Sequence, residues 1–225
     1  MIAWELLDSA VVPGDSSVLR LLRRGTEYSI RVDHRDLMSS VVHGSEEALA
    51  DLACGPVAKR PGVRVLVGGL GCGYTLAAAL KCLGAEAQVV VAEVVPAVVA
   101  WNRQYLGHLA GQPLLDPRTE VHEGDVGALL RKAVGAFDAV MLDVDNEPNA
   151  LTRGSNEWLY SPVGLASIRQ ALRPGGVLAV WSAAPDRSFT SRLRRGDYVV
   201  EEVEARARGN KGGRKHYIWV AKRRD

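Results

Sequence analysis

The chain has 225 residues, enough for one domain with a full core and too few for two large ones. Apolar residues make up 47% and charged residues 24%, the balance of a soluble globular protein. The net charge of +2 gives no global reason to expect a nucleic-acid partner, and the basic residues gathered after position 206 read as a solvated hairpin and tail rather than a polyanion site.

In chain order, residues 18–22 and 28–32 are short β-like runs separated by Arg23-Arg24-Gly25-Thr26, a hairpin turn. Ser45-Glu46-Glu47 opens an apolar stretch, 48–53, that reads as a short helix with Ser45 as its cap. Residues 1–55 are therefore expected to form a small N-terminal β appendage with a leading helix, and residues 56–225 the main domain. From residue 63 the pattern alternates. Residues 63–67 form a continuous apolar run, as in a strand covered on both faces, and glycines and a helix at 75–83 follow. A strand at 88–95 precedes a helix at 96–109 with Pro96 in its first turn. A strand at 119–123, a helix at 126–134 and a strand at 139–144 come next. A helix at 162–172 is stopped by Arg173-Pro174-Gly175-Gly176, and 177–181 is a strand. This rhythm specifies a parallel sheet with right-handed crossovers. Residues 198–208 and 216–220 close the chain as an antiparallel hairpin about the turn at 209–213. The expected fold class is α/β: one Rossmann-like, doubly wound, mostly parallel seven-stranded sheet that ends in an antiparallel hairpin.

Cys54, Cys72 and Cys82 show no metal spacing and are odd in number, which argues against a disulfide framework and for a reducing cytoplasm. The first eight residues lack the pattern of a signal peptide. The most apolar run, 89–101, is broken by Glu93 and Pro96, so no membrane partner is expected.

Gly68-Gly69-Leu70-Gly71-Cys72-Gly73-Tyr74-Thr75 joins the strand at 63–67 to a helix. A turn through Gly69, Gly71 and Gly73 lets backbone approach a ligand at a helix N-terminus. Tyr74 or Leu76 falls where the dinucleotide fingerprint needs a small residue, and no Gly-Lys-Ser/Thr is present, so neither that fingerprint nor a P-loop fits. Glu93 ends the second strand and interrupts an apolar run; a carboxylate there can accept from both ribose hydroxyls of a nucleoside. Asp125 ends the third strand and suits two roles, acceptor for an exocyclic amine of the base and N-cap of the helix from Val126. Asp143, Asp145 and Glu147 crowd the end of the fourth strand, so at least one should bind a cation, hold a substrate amine or carry a raised pKa.

This series, with Phe137-Asp138-Ala139-Val140-Met141-Leu142-Asp143 on the fourth strand, resembles the class I S-adenosylmethionine-dependent methyltransferases. Gly68-Gly69, the segment from Asp143 to Pro148 and Leu159-Tyr160-Ser161 before a helix make it most similar to the spermidine synthase (polyamine aminopropyltransferase) branch, over about residues 28–184. The resemblance implies S-adenosylmethionine or its decarboxylated form as cofactor, Glu93 on the ribose, Asp125 on the adenine and Asp143 near the sulfonium or the donor's amine. It also implies that the loop at 149–158 covers the acceptor site and that His43 borders it.

Asp143 and Asp145 are the candidate bases for an ammonium nucleophile, an Asx-turn being the plainer role for that loop. Trp158 and Tyr160 suit an acceptor pocket or core packing. Aminopropyltransferases carry Asp-x-x-Asp-Pro here, whereas Asn146 stands three after Asp143 and Pro148 falls one position late. The expected activity is thus group transfer, most simply of methyl, from the sulfonium to a small-molecule acceptor that includes amines. Aminopropyl transfer from the decarboxylated donor is the alternative, and a non-catalytic nucleoside-binding module the third reading. The N-terminal strands and the closing hairpin offer edges for a homodimer.

Overall fold

Short stretches with a period of two give the N-terminus its own antiparallel sheet. In the computed structural model, which describes residues 2–33, 35–144 and 156–224, β1 (Glu5–Val11), β2 (Val18–Arg24), β3 (Glu27–Val32) and β4 (Arg35–Ser39) pair in that order. The expected hairpin is β2–β3. The two outer strands escape the sequence pattern because neither buries a residue and each pairing slips register, between Leu6 and Asp8 and between Ile30 and Arg31. Next comes α1 (Gly44–Cys54), and Ser45 is not its cap. His43 holds the cap position without a side-chain bond, while Ser45 is buried, its Oγ 2.7 Å from His216 Nδ1 and accepting from Trp181 Nε1 at 3.1 Å.

The main sheet is built from β5 (Arg64–Gly68), β6 (Gln88–Glu93), β7 (Thr119–Glu123), β8 (Phe137–Leu142), β9 (Leu172–Ser182), β10 (Tyr198–Arg206) and β11 (Lys215–Arg223). Its order is β7-β6-β5-β8-β9-β11-β10. The pairs from β7 to β9 are parallel and those made by β11 antiparallel. The helices are α2 (Tyr74–Cys82), α3 (Pro96–Trp101), α4 (Val126–Lys132), α5 (Asn156–Tyr160), α6 (Pro162–Ala171) and α7 (Arg187–Arg195). Alternate residues of each central strand feed two apolar layers. Val65, Val67, Ala139 and Met141 pack with Leu49, Leu76 and Val99 on one face. Leu66, Val140 and Leu142 pack with Leu130, Leu165, Ile168 and Phe189 on the other. The chain runs outward from β5 to β7 and then returns to β8 on the far side of β5, so the order reverses between β5 and β8 and a crevice opens at their carboxyl ends.

Three departures from the expected elements have local causes. The helix from Pro96 is α-helical only to Trp101 and continues as a π turn, Asn102–Leu106, and a 3-10 turn, Gly107–Ala110. The break falls at Asn102, whose side-chain amide donates to the carbonyls of Val98 at 2.9 Å and Gly71 at 2.7 Å. The Pro-Gly-Gly stop ends α6 as expected but becomes a bulge inside β9, since Leu172 pairs with Phe137 and Val177 with Ala139. Helix α7 had no sequence signature because Phe189, Thr190 and Leu193 are its only buried residues.

Candidate functional site

The carboxyl ends of β5, β6 and β8, the start of α1 and the inner face of the N-terminal sheet enclose a groove of about 1520 Å³. That is larger than one small ligand needs, and it leaves room for a donor and an acceptor together. A second pocket of about 430 Å³, beside Lys81 and Gly111, lies away from the strand ends, and its Asp116 is tied to Arg118 at 2.7 Å. The groove is therefore the candidate site.

Its floor is the glycine turn after β5. Gly69 and Gly73 have φ of +93° and +87°, a region that side chains disfavour. A Cβ on Gly69 would also collide with the Asp143 carbonyl, so the turn rests directly on the exit of β8. Gly69 and Gly71 line the groove, and Gly73 starts α2. Glu93 is buried at 8% exposure and clasps the turn from the side, accepting from Leu70 N at 3.0 Å and Val95 N at 2.9 Å. Burial raises its pKa, and these amide donors hold it back. Asp125 lines the groove and also caps α4, accepting from Gly127 N at 2.8 Å and Ala128 N at 3.0 Å, with Arg131 3.6 Å away.

Asp143 follows β8 and lines the groove beside the glycine turn. The Thr75 hydroxyl donates to its Oδ2 at 2.6 Å. Burial lifts its carboxyl to about 6, the Thr75 bond pulling the other way. Asp145, and residues 149–155 of the expected cover at 149–158, lie outside the described residues.

The other acceptor-pocket residues of the sequence reading lie elsewhere. His43 stacks on Tyr74, centroids 4.2 Å apart, and its Nδ1 is 2.9 Å from Glu47 Oε1; it does not line the groove. Trp158 carries Arg131 over its ring at 4.0 Å and joins the apolar layer on the opposite face of the sheet. Tyr160 joins the same layer, edge-on to Phe189 at 5.6 Å.

Among the groove-lining residues that sequence reasoning passed over are Ser45, Glu46, Trp181 and His216. Acids in a first helical turn are ordinarily read as favourable to the helix dipole, which hid Glu46. The Ser45–His216 bond joins residues 171 positions apart, which no local pattern reveals. Burial, with Arg214 nearby, lowers the His216 pKa. Exposed Arg35, Arg208 and Arg214 also line the groove, together with exposed Asp36. Among the described residues no group of three side chains could hold a metal ion, and no helix is long and apolar enough to cross a membrane.

A glycine turn opening a helix beside acid-ended parallel strands defines a transferase of the S-adenosylmethionine-dependent class, of methyltransferase or aminopropyltransferase type. The chain belongs to the spermine/spermidine synthase domain family, whose model matches residues 43–188. A search of curated proteins found no match. Among solved structures, spermidine synthase from Thermotoga maritima is 17% identical with a TM-score of 0.74, over 96% of this chain and 72% of that one. A spermidine synthase in complex with the transition-state analogue AdoDATO is 19% identical with a TM-score of 0.74, over 98% of this chain and 73% of that one. A probable spermidine synthase from Corynebacterium glutamicum ATCC 13032 is 15% identical with a TM-score of 0.66, over 97% and 79%. The family match favours the aminopropyl alternative over the methyl transfer placed first from sequence.

Proposed function

We propose that the protein transfers an aminopropyl group from decarboxylated S-adenosylmethionine to a small amine acceptor. The observation that carries this reading is the family match across residues 43–188, a span that contains the glycine turn and all the acids of the groove except Asp15, Glu27 and Asp36 of the N-terminal region. In this reading the turn from Gly69 to Gly73 and Glu93 hold the ribose, with Glu93 accepting from its hydroxyls. Asp125 accepts from the adenine amine with the lone pairs its helix bonds leave free.

Asp143 acts on the nucleophile. An ammonium cannot attack, so one proton must leave first, and a carboxylate titrating near 6 is mostly ionised at neutral pH and able to take it. The freed nitrogen lone pair forms a bond to the propyl carbon next to sulfur. The carbon–sulfur bond breaks, its electron pair stays on sulfur, and the sulfonium becomes a neutral thioether. Catalysis rests chiefly on holding nitrogen, carbon and sulfur in line. Burial pushes the Cys54 and Cys72 thiols upward, which disfavours the thiolate and keeps them out of the chemistry.

The test is incubation with decarboxylated or intact S-adenosylmethionine and a panel of diamines and polyamines, read by product mass. An acceptor heavier by one aminopropyl unit, formed only with the decarboxylated donor, is the expected result. A methylated acceptor from the intact donor, with no aminopropyl product, would overturn it.

A further inference from the structure

The inner face of the closing hairpin is set by a period of two. Ala205 pairs with His216 across β10 and β11, and Ala207 N donates to Arg214 O at 2.9 Å, so two small residues stand opposite His216 and Arg214. Both alanines are buried, and Ala205 belongs to the apolar layer that also holds Leu49 of α1. The turn beyond them is pressed against the start of α1. Gly44 N donates to Ala207 O at 2.9 Å, and a Cβ on Gly44 would collide with the Gly209 amide. The hairpin is thereby fixed with Arg208, Arg214 and His216 in the lining of the groove.

The bonds around His216 fix which of its ring nitrogens carries the proton. Ser45 Oγ accepts from Trp181 Nε1 at 3.1 Å, and among the described residues its own hydroxyl hydrogen has one acceptor, His216 Nδ1 at 2.7 Å. Burial, with Arg214 nearby, holds the imidazole below its usual value, so the ring is neutral at pH 7 and its one N–H is at Nε2. That N–H has no hydrogen-bond partner among the described residues. The cations beside it are equally unengaged. Arg206 donates to Gly213 O at 3.3 Å and Lys215 pairs with Glu204 at 2.7 Å, whereas Arg208 and Arg214 have no acidic partner among the described residues. Of the groove's other arginines, Arg24 is matched by Glu27 at 2.6 Å, and Arg35 stands on β4 of the other sheet. A neutral N–H beside two free guanidinium forks matches a carboxylate, which takes bidentate bonds from arginine and only accepts. It is the wrong lining for an ammonium, which only donates. We propose that the groove seats a carboxylate of the acceptor at the closing hairpin, held by Arg208, Arg214 and the Nε2–H of His216, so that the acceptor is an amine that also bears an acid group, an amino acid rather than a plain polyamine. The inference rests on the function proposed above and narrows its acceptor class. The other source of a carboxylate is intact S-adenosylmethionine, and the experiment separates the two.

Ornithine and putrescine share one diamine skeleton and differ by the carboxylate. Calorimetric titration with each, on protein saturated with methylthioadenosine, compares wild type with Arg208→Gln, Arg214→Gln, His216→Phe and His216→Gln. Ornithine should bind wild type about tenfold or more tightly than putrescine. Arg208→Gln and Arg214→Gln should each reduce that ratio severalfold, and Arg206→Gln, whose side chain does not line the groove, should keep it. His216→Phe should reduce it as well, while His216→Gln, which returns an N–H near the place of Nε2, should restore part of it. Arg208 and Arg214 are exposed, so their variants should melt at the wild-type temperature, which a thermal scan checks. Ornithine that binds wild type no more tightly than putrescine, or a ratio that Arg214→Gln leaves unchanged, overturns the seat, and aminopropyl transfer to a polyamine would still stand. Titration with the intact and the decarboxylated donor covers the other source. If the intact donor binds more tightly and Arg214→Gln abolishes the difference, the carboxylate is the donor's, and the seat falls together with the aminopropyl reading. Methylthioadenosine that fails to bind wild type would remove the nucleoside pocket, and both proposals with it.

Discussion

Asp143 is held where its charge is disfavoured. Its carboxyl titrates near 6 in the folded protein against 3.8 in a free chain. The folded state therefore binds the proton more tightly. That contribution to stability is complete below about pH 4 and is lost as pH rises through about 6. Asp143→Asn removes it. The variant should gain about 3 kcal/mol on wild type between pH 4 and pH 8, while turnover falls by about 100-fold or more. Denaturant titration at the two pH values measures the first effect, and a gap that does not change with pH would refute the buried-charge account. Glu93 is coupled differently, since its oxygens already accept from Leu70 and Val95. Glu93→Ala would remove the proposed ribose acceptor and loosen the turn together. Donor binding should weaken by about tenfold or more, and a titration showing unchanged affinity would count against the pocket described here.

Elements rather than single side chains set the shape of the glycine turn, and one link in that shape was invisible in sequence. The amide of Asn102, at the break between α3 and the π turn, bonds Gly71 O, and Asn102 is 1% exposed. Asn102→Ala frees two carbonyls, Gly71 and Val98, and should destabilise the protein by about 1–3 kcal/mol and raise the donor dissociation constant severalfold. Asp186→Ala is the control. It removes the cap of α7, where Asp186 accepts from Ser188 N at 2.7 Å and Phe189 N at 3.1 Å, at a cost of about 1 kcal/mol, and since Asp186 does not line the groove it should leave donor binding unchanged. Strands β5, β6 and β8 were legible because each is a short apolar run closed by glycine or acid, whereas β7 has only Val121 as an apolar residue and was legible from its place in the alternation. Helices α2, α4 and α6 were legible through their flanking glycine, cap and proline residues. The edge strands β1 and β4, and α7, were not, because exposure removes the alternation on which such reading depends. At the site, the acids ending strands were readable one by one. Glu46, Ser45 and His216 were not, since β11 and α1 meet only in the folded chain.

At the scale of the whole molecule, the groove has two walls of different origin. The main sheet supplies the acids and the glycine turn, and the N-terminal sheet supplies Leu19, Ile30, Leu37 and Met38. The walls stay in register only if both sheets fold together. A single apolar layer joins them, in which Leu21, Ile30 and Val32 belong to the same buried cluster as Leu49, Val65 and Leu76. A boundary at residue 55, as the composition shift suggests, would then divide the chain by topology without dividing its cooperativity. Leu21→Ala tests this. Leu21 has no exposed surface, so truncation should cost about 2–5 kcal/mol. If the core is continuous, that cost shifts one unfolding transition, seen at the same denaturant concentration by the tryptophans of either sheet, Trp4 beside Arg24 and Arg31 or Trp219 against Phe189. Two transitions, with only the Trp4 signal displaced, would mean that the N-terminal sheet folds alone, and the groove would then depend on docking rather than on one shared core.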